Sequence, residues 1–262
     1  MIRQLVVTVP ASESELASDA LWGLGVVAVE ERPSVDGTTV ELWTSVGDTV
    51  EVALPWPCRF EDVDESVADT WRSFAAPVWI DTDLVVCPAW VEFDAADGVT
   101  VLRIEPGSTF GMGDHPTTRL SLAAAKRVVQ PGHRVLDVGC GSGVLAVGAM
   151  TFGAAHATGI DIAPAAVATT LANAAANGVD VAVSTMPLDE VTGQFDVVLA
   201  NILAPVLVAL AADLRRVTAH DGRLVISGVL VDGHQHVLEA LRPMVVERVD
   251  ELDGWAAVEL RW

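Results

Sequence analysis

The alternation of apolar and polar positions changes character about 115 residues into the chain. Before that point the pattern is a mixture of short strands and helices. Apolar residues alternate over Ile2–Val9, which predicts a strand with one buried face. Ser12 then stands as a helix cap, with Glu15 three residues later, ahead of a helix over Glu13–Leu24 that Gly23 and Gly25 close. Val26–Glu30 and Thr39–Thr44 read as two strands, with Asp36-Gly37 marking the turn between them. Val63, Val67, Trp71 and Phe74 share one helical stripe, and Glu61, Asp62 and Asp64 suit the positive start of that helix. Val78–Val86 predicts a last strand. The resulting order, βαββαβ, is the split ferredoxin-like arrangement.

Residues 87–113 read as a connector in which Asp97-Gly98 separates the extended stretches Trp90–Phe93 and Thr100–Ile104. Beyond it, helix and strand alternate. Strands are expected at Arg134–Val138, Ala157–Asp161, Val181–Ser184, Phe195–Ala200 and Arg223–Ser227. Helices are expected at Leu120–Val129, Gly143–Phe152, from Pro164 to the closing Gly178, at Val206–Thr218 and at Gly233–Leu241. Repeated βα units predict an α/β fold with a mostly parallel sheet covered on both faces. Val245–Val249 and Ala256–Leu260, joined by Asp253-Gly254, add an antiparallel pair at the end. Three regions are therefore expected: a small α+β ferredoxin-like domain over 1–86, a connector over 87–113, and an α/β domain with a Rossmann-like sheet over 114–262.

Composition narrows the classes. With 51% hydrophobic residues in 262, a sizeable core can be buried. No apolar run reaches about 18 residues, so a spanning helix is not expected. The opening MIRQLVVTVP is too short an apolar stretch for a signal peptide and suits a first strand. Three widely spaced cysteines, Cys58, Cys87 and Cys140, outline neither a disulfide framework nor a metal site, and a reducing, cytoplasmic setting is expected. The net charge is −21, and residues 1–95 hold 18 acidic residues against 4 basic ones. Such a balance disfavours a direct nucleic-acid partner and favours a basic protein. No membrane partner is expected, and a monomer is.

The candidate chemistry lies in Val135-Leu-Asp-Val-Gly139-Cys-Gly141-Ser-Gly143, where a buried strand runs into a glycine-rich turn that opens a helix. Glycines let the backbone approach a ligand closely. The spacing is G-x-G-x-G and not the dinucleotide fingerprint G-x-G-x-x-G, and Asp137 two residues before the first glycine is a further departure from it. Asp161 follows at the end of the next strand, 22 residues after Gly139; alone it reads first as a cap before Pro164, but paired with the glycine loop at this spacing it reads as an acid accepting two hydrogen bonds from a ribose diol. Nicotinamide cofactors and S-adenosylmethionine both carry such a ribose. The loop spacing favours S-adenosylmethionine, with hydride transfer as the second reading.

Phe110-Gly-Met-Gly-Asp-His115-Pro-Thr-Thr118, the glycine loop, and Asn201-Ile-Leu-Ala204 occur in that order. As a combination they resemble the bacterial ribosomal protein L11 methyltransferase family, over about residues 107–230. The resemblance implies a class I, S-adenosylmethionine-dependent enzyme that methylates amino groups of a basic ribosomal protein. Position by position it implies cofactor binding at Thr118, Gly139, Asp161 and Asn201, with Asp137 and Gly141 in the loop. Phe110 would cover the cofactor and His115 orient its segment. Met112 replaces the family's usual threonine. Thr118 also reads as a helix cap, and Phe110 as a core residue. Asn201 is the expected acceptor-side, catalytic residue, because an amide oxygen can orient an amine lone pair. Three alternatives remain open. Arginine methylation is disfavoured because Asn201–Val206 contains no acid. The other two are a lysine methyltransferase of the electron-transfer flavoprotein type and a non-catalytic S-adenosylmethionine-binding assembly module.

Overall fold

The structure, a computed structural model, describes all residues except 1, 23–25, 27–28, 35, 45–52, 64–74 and 106–112. The chain divides into two compact units, Met1–Ala75 and Ala76–Trp262.

In the first unit β1 (Ile2–Pro10), α1 (Ser14–Trp22), β2 (Glu30–Pro33), β3 (Thr39–Thr44) and β4 (Cys58–Val63) form a sheet of order β2-β3-β1-β4. Every neighbouring pair is antiparallel, so β1 and β2 run parallel with β3 between them. That is the expected split β-α-β unit. Leu5, Val7, Val9, Val40 and Leu42 pack with Ala17 and Leu21 of α1 into its core. Several boundaries differ from the sequence pattern. A single 3-10 turn, Ala11–Glu13, precedes α1, so Ser12 lies inside that turn and not at a helix cap. The second strand is the exposed Glu-Glu-Arg-Pro of β2, displaced from 26–30 because its pairing with β3 begins next to the Asp36-Gly37 turn. Charged side chains and a proline suit such an edge position. The expected helix start at Glu61–Val63 is strand β4, whose ladder with β1 overrides the acidic N-terminal signal. The rest of that expected helix, 64–74, lies outside the described residues.

The expected last strand of the first domain falls in the second unit. There β5 (Val78–Trp79), β6 (Leu84–Pro88) and β7 (Thr100–Ile104) make a three-stranded sheet. The division therefore falls at 75/76 and not at 86/87. The expected connector contributes to the core of this unit through Leu102 and Ile104, which is why an extended but isolated apolar stretch reads as a linker from sequence. Trp90–Phe93 is not a strand.

The main sheet of the second unit has seven strands in the order β10-β9-β8-β11-β12-β14-β13. These are β8 (Arg134–Val138), β9 (His156–Ile160), β10 (Val181–Ser184), β11 (Phe195–Asn201), β12 (Thr218–Leu230), β13 (Val245–Leu252) and β14 (Trp255–Arg261). The first five are parallel, and β14 runs antiparallel between β12 and β13. The period-two pattern sorts the strands between two cores. Val135, Val197 and Leu199 face a layer with α2 (Pro116–Val128) and α3 (Val144–Thr151). Leu136, Val138, Val198 and Ala200 face the other layer, with α5 (Ala204–Val217) and α6 (Gln235–Ala240). Helix α4 (Pro164–Ala176) links β9 to β10. Fully burying a side chain such as Leu136 or Leu199 stabilises the fold by roughly 2 kcal/mol. Among the described residues no helix is long and apolar enough to cross a membrane.

The chain enters this sheet at β8, then adds β9 and β10 on one side and β11 and β12 on the other. Strand order thus reverses between β8 and β11. In open α/β sheets a ligand crevice forms at the carboxyl ends of the strands at such a switch point.

Candidate active site

The glycine loop, 139–143, leaves β8 at that switch point. Gly139 has φ +73°, and a Cβ there would run into the Ile202 side chain. Ile202 follows Asn201, the last residue of β11, so the two strand ends meet at this contact. Gly228, φ +81°, closes the same segment from the other side: a Cβ on it would strike the Ile202 carbonyl. The Asn201–Ile202 backbone is therefore held between two positions that admit no side chain. Ile202 lies in the Asn201–Ala204 motif, but nothing in the sequence pairs it with Gly228. A lone glycine inside the long strand β12, at its irregularity between Ile226 and Val229, is the signal that was available.

Four of the loop's amides are committed internally. Gly139 N and Cys140 N both donate to Ile160 O, at 2.8 and 3.1 Å, and Gly143 N donates to Cys140 O at 2.7 Å. Gly141 N donates to Asp161 Oδ2 at 2.9 Å. In the first turn of α3, Val144 N donates to Ser142 Oγ at 3.3 Å and Ala146 N to Asp137 Oδ2 at 3.1 Å. A diphosphate needs free amides at a helix N-terminus. Here four of the loop's amides, and Val144 N and Ala146 N in the first turn of α3, have partners, and the carboxyl of Asp137 already occupies the positive end of the helix. The arrangement opposes a dinucleotide and suits a ligand with positive charge.

Asp137 is 1% exposed. Burial pushes its carboxyl up to about 7; the Ala146 amide pulls the other way and Asp161 adds like charge. Its Oδ1 is buried with no hydrogen-bond partner, and so is Thr118 Oγ1. Leaving a buried polar atom unpaired costs about 1–3 kcal/mol, so Asp137 Oδ1, at the switch point, and Thr118 Oγ1, in the first turn of α2, are open to a polar ligand. Burial also pushes the Cys140 thiol up to about 12, which keeps it an un-ionised packing residue.

Asp161 follows β9. Its Oδ1 accepts from Ala163 N at 2.9 Å, so one carboxylate ties the glycine loop to the approach to α4. It acts as turn former and loop anchor together, with lone pairs left for a diol. Beside it Ile162 is 93% exposed, and Met186, past the neighbouring β10, is 45% exposed. Neither is prominent in the sequence, because a single apolar residue in a loop carries no periodic signal.

His115 is the N-cap of α2, accepting from Thr117 N through Nδ1 at 3.3 Å. The cap reading of Thr118 therefore falls away: Thr118 lies inside the first turn, fully buried. Burial lowers the His115 imidazole below its ordinary value, against the opposing charge of Asp114. The ring meets Trp255 edge-on at 5.1 Å. Phe110 and Met112 lie outside the described residues. Of the expected site residues, Asp137, Gly139, Gly141, Asp161 and Asn201 all sit at the carboxyl ends of β8, β9 and β11, and Thr118 opens α2.

A parallel sheet with one reversed strand, a glycine loop most of whose amides are bonded within the protein, and carboxylates at the ends of adjacent strands place the second unit in the Rossmann-like methyltransferase class. The sequence model described as ribosomal protein L11 methyltransferase (PrmA) matches residues 56–262. The chain belongs to that family. It is 46% identical to the ribosomal protein L11 methyltransferase of Geobacter metallireducens over 176 residues, 67% of this chain and 58% of that protein. It is 39% identical to that of Symbiobacterium thermophilum over 206 residues, 77% of this chain and 68% of that protein. The chain thus spans about three fifths to two thirds of the length of these relatives. A crystal structure of a ribosomal protein L11 methylase from Lactobacillus delbrueckii subsp. bulgaricus superposes with a TM-score of 0.66 at 28% identity, covering 71% of this chain and 96% of that one.

Proposed function

We propose that this chain is an S-adenosylmethionine-dependent protein methyltransferase acting on amino groups of ribosomal protein L11. The observation that carries the reading is the buried, unpartnered Asp137 Oδ1 at the end of β8, next to a glycine loop most of whose amides are already bonded within the protein, together with the unpartnered Thr118 Oγ1 in the first turn of α2. Asp137 and Thr118 would hold the methionine end of the donor, Gly139 and Gly141 would admit its body, and Asp161 would accept its ribose hydroxyls. Exposed Ile162 and Met186 offer apolar cover for the base. S-adenosylmethionine supplies an electrophilic methyl group on a sulfonium centre.

On the acceptor side, Asn201 orients the incoming nitrogen. A free lysine ammonium has a pKa of about 10.4, and only its neutral form has a lone pair to offer. The Asn201 amide oxygen accepts an N–H and aims that lone pair, while the proton already lost goes to water. Fixed orientation supplies rate without a strong base.

Residues 1–86 are assigned to substrate selection. The excess of acid over 1–95 suits a basic protein and faster encounter with it at low salt. Part of that acid is balanced locally: Arg59 meets Glu41 and Glu61, and Arg32 meets Glu30, around the ring of Trp43. The charge available to a partner therefore lies outside this ladder. We place the protein in the cytoplasm, where the ribosomal protein is made, and expect a monomer without direct nucleic-acid or membrane contact.

Incubation with labelled donor and a cytoplasmic extract, followed by mass spectrometry, tests the assignment. Label on amines of ribosomal protein L11 is expected. Label on a flavoprotein lysine, on RNA, or on small molecules only would replace it, and donor binding without any transfer would point to an assembly module.

A further inference from the structure

Helix α4 turns polar side chains toward the protein. Thr170 is 0% exposed and Asn173 1%, while Leu171 between them is 50% exposed. A buried carboxamide is costly unless its groups are bonded, and those of Asn173 are. Its Nδ2 donates to Glu105 O at 2.8 Å and to Ser142 O at 2.8 Å, and its Oδ1 accepts from Glu105 N at 2.8 Å. One turn on, Asn177 Oδ1 accepts from Arg103 N at 2.8 Å, and its Nδ2 donates to Arg103 O at 2.7 Å. Arg103 and Glu105 are two residues apart along the β7 edge. Two strand residues rise about 6.6 Å and four helix residues about 6 Å, so asparagines at i and i+4 match that edge. Together they stand in for a neighbouring strand.

Asn177 Nδ2 also donates to Asn173 O at 2.7 Å, but only Asn173 reaches the glycine loop, through Ser142 O. We propose that Asn173 is a positioning residue for the donor pocket. One carboxamide locks the Gly141–Ser142 turn to the end of β7, and so fixes the loop that carries Gly139 and receives Asp161. Thr170 Oγ1, donating to Gly141 O at 3.3 Å, supports the same turn. Asn173 acts through the loop and touches no reacting atom. The proposal rests on the reading of this site as a donor pocket.

Asn177 supplies the control, because Asn177→Ala removes the same ladder to β7 but no bond to the loop. Thermal unfolding and calorimetric titration with S-adenosylhomocysteine are measured on both variants and the unaltered protein. Both variants are expected to unfold at lower temperature. Asn173→Ala is expected to weaken binding by about tenfold or more, since small misplacements of a pocket are costly, while Asn177→Ala stays within about twofold. Equal weakening in both, or none in Asn173→Ala, overturns the proposal. Failure of the unaltered protein to bind overturns the donor-pocket reading instead. A measurement independent of whether Asn173→Ala folds is amide exchange in the unaltered protein. S-adenosylhomocysteine is expected to slow exchange at the Glu105 amide more than at the Arg103 amide, and equal protection of the two contradicts the role.

Discussion

The carboxylate of Asp161 accepts the amide of Gly141 at 2.9 Å, across 20 residues of chain, and so joins the ends of β8 and β9. The same side chain that would meet a ribose diol therefore also shapes the loop beneath the ligand. Asp161→Ala removes that bond and the one from Ala163 as well as the ligand contacts. Calorimetry is expected to show S-adenosylhomocysteine binding weakened by about 2–4 kcal/mol, consistent with losing hydrogen bonds to a charged acceptor. The melting temperature falls with it. Unchanged affinity would remove Asp161 from the site.

Asp137 is expected to make donor binding pH-dependent. Its folded pKa, about 7, stands above the ordinary 3.8, chiefly through burial. Folding therefore favours the protonated form. The stability this contributes is complete below about 3.8 and is lost as pH rises through about 7. A cationic ligand favours the ionised form, so binding near pH 7 releases a proton and tightens as pH rises. Titration in two buffers of different ionisation enthalpy reads that proton directly. Asp137→Asn is expected to abolish the release and to flatten stability between these two pH values. A proton release that survives in Asp137→Asn would assign it elsewhere.

Gly228→Ala probes the pinch on Ile202. With φ +81° and the Ile202 carbonyl in the path of a Cβ, the substitution forces the Asn201 segment to shift. A loss of about 2 kcal/mol or more in unfolding free energy is expected. Turnover and donor affinity should both drop, because Ile202 follows Asn201 and its side chain lies against Gly139 of the glycine loop. Wild-type stability in denaturant titrations would show that the segment yields freely.

Asn201→Ala separates orientation from binding. Turnover is expected to fall by about 10- to 100-fold, with affinity for S-adenosylhomocysteine within about threefold, because the bond matters mainly at the transition state. Equal effects on both would make Asn201 a donor-binding residue alone.

Most of the second unit was legible from residue order. Strongly periodic strands such as Arg134–Val138 and Val181–Ser184 have the expected bounds, since local pattern and burial agree there. The hairpin at Asp253-Gly254 followed from its turn residues, both of which take positive φ. Where tertiary pairing decides, the pattern misled. Glu61 and Asp62 look like a helix start and are strand β4, and Leu102 and Ile104 look like part of a linker and fill the core. The site divides in the same way. Asp137, Asp161 and Asn201 lie in motifs, whereas the contacts of Gly228 with Ile202 and of Asn173 with the glycine loop join distant segments that no local spacing reveals.

The most direct test of the account is transfer itself. The purified protein, S-adenosylmethionine and purified ribosomal protein L11 are mixed, and intact-mass and peptide spectra of the ribosomal protein are followed with time. Successive methyl additions on its amino groups, absent with Asn201→Ala, are the predicted result. An unmodified ribosomal protein in the presence of demonstrated donor binding would contradict the account.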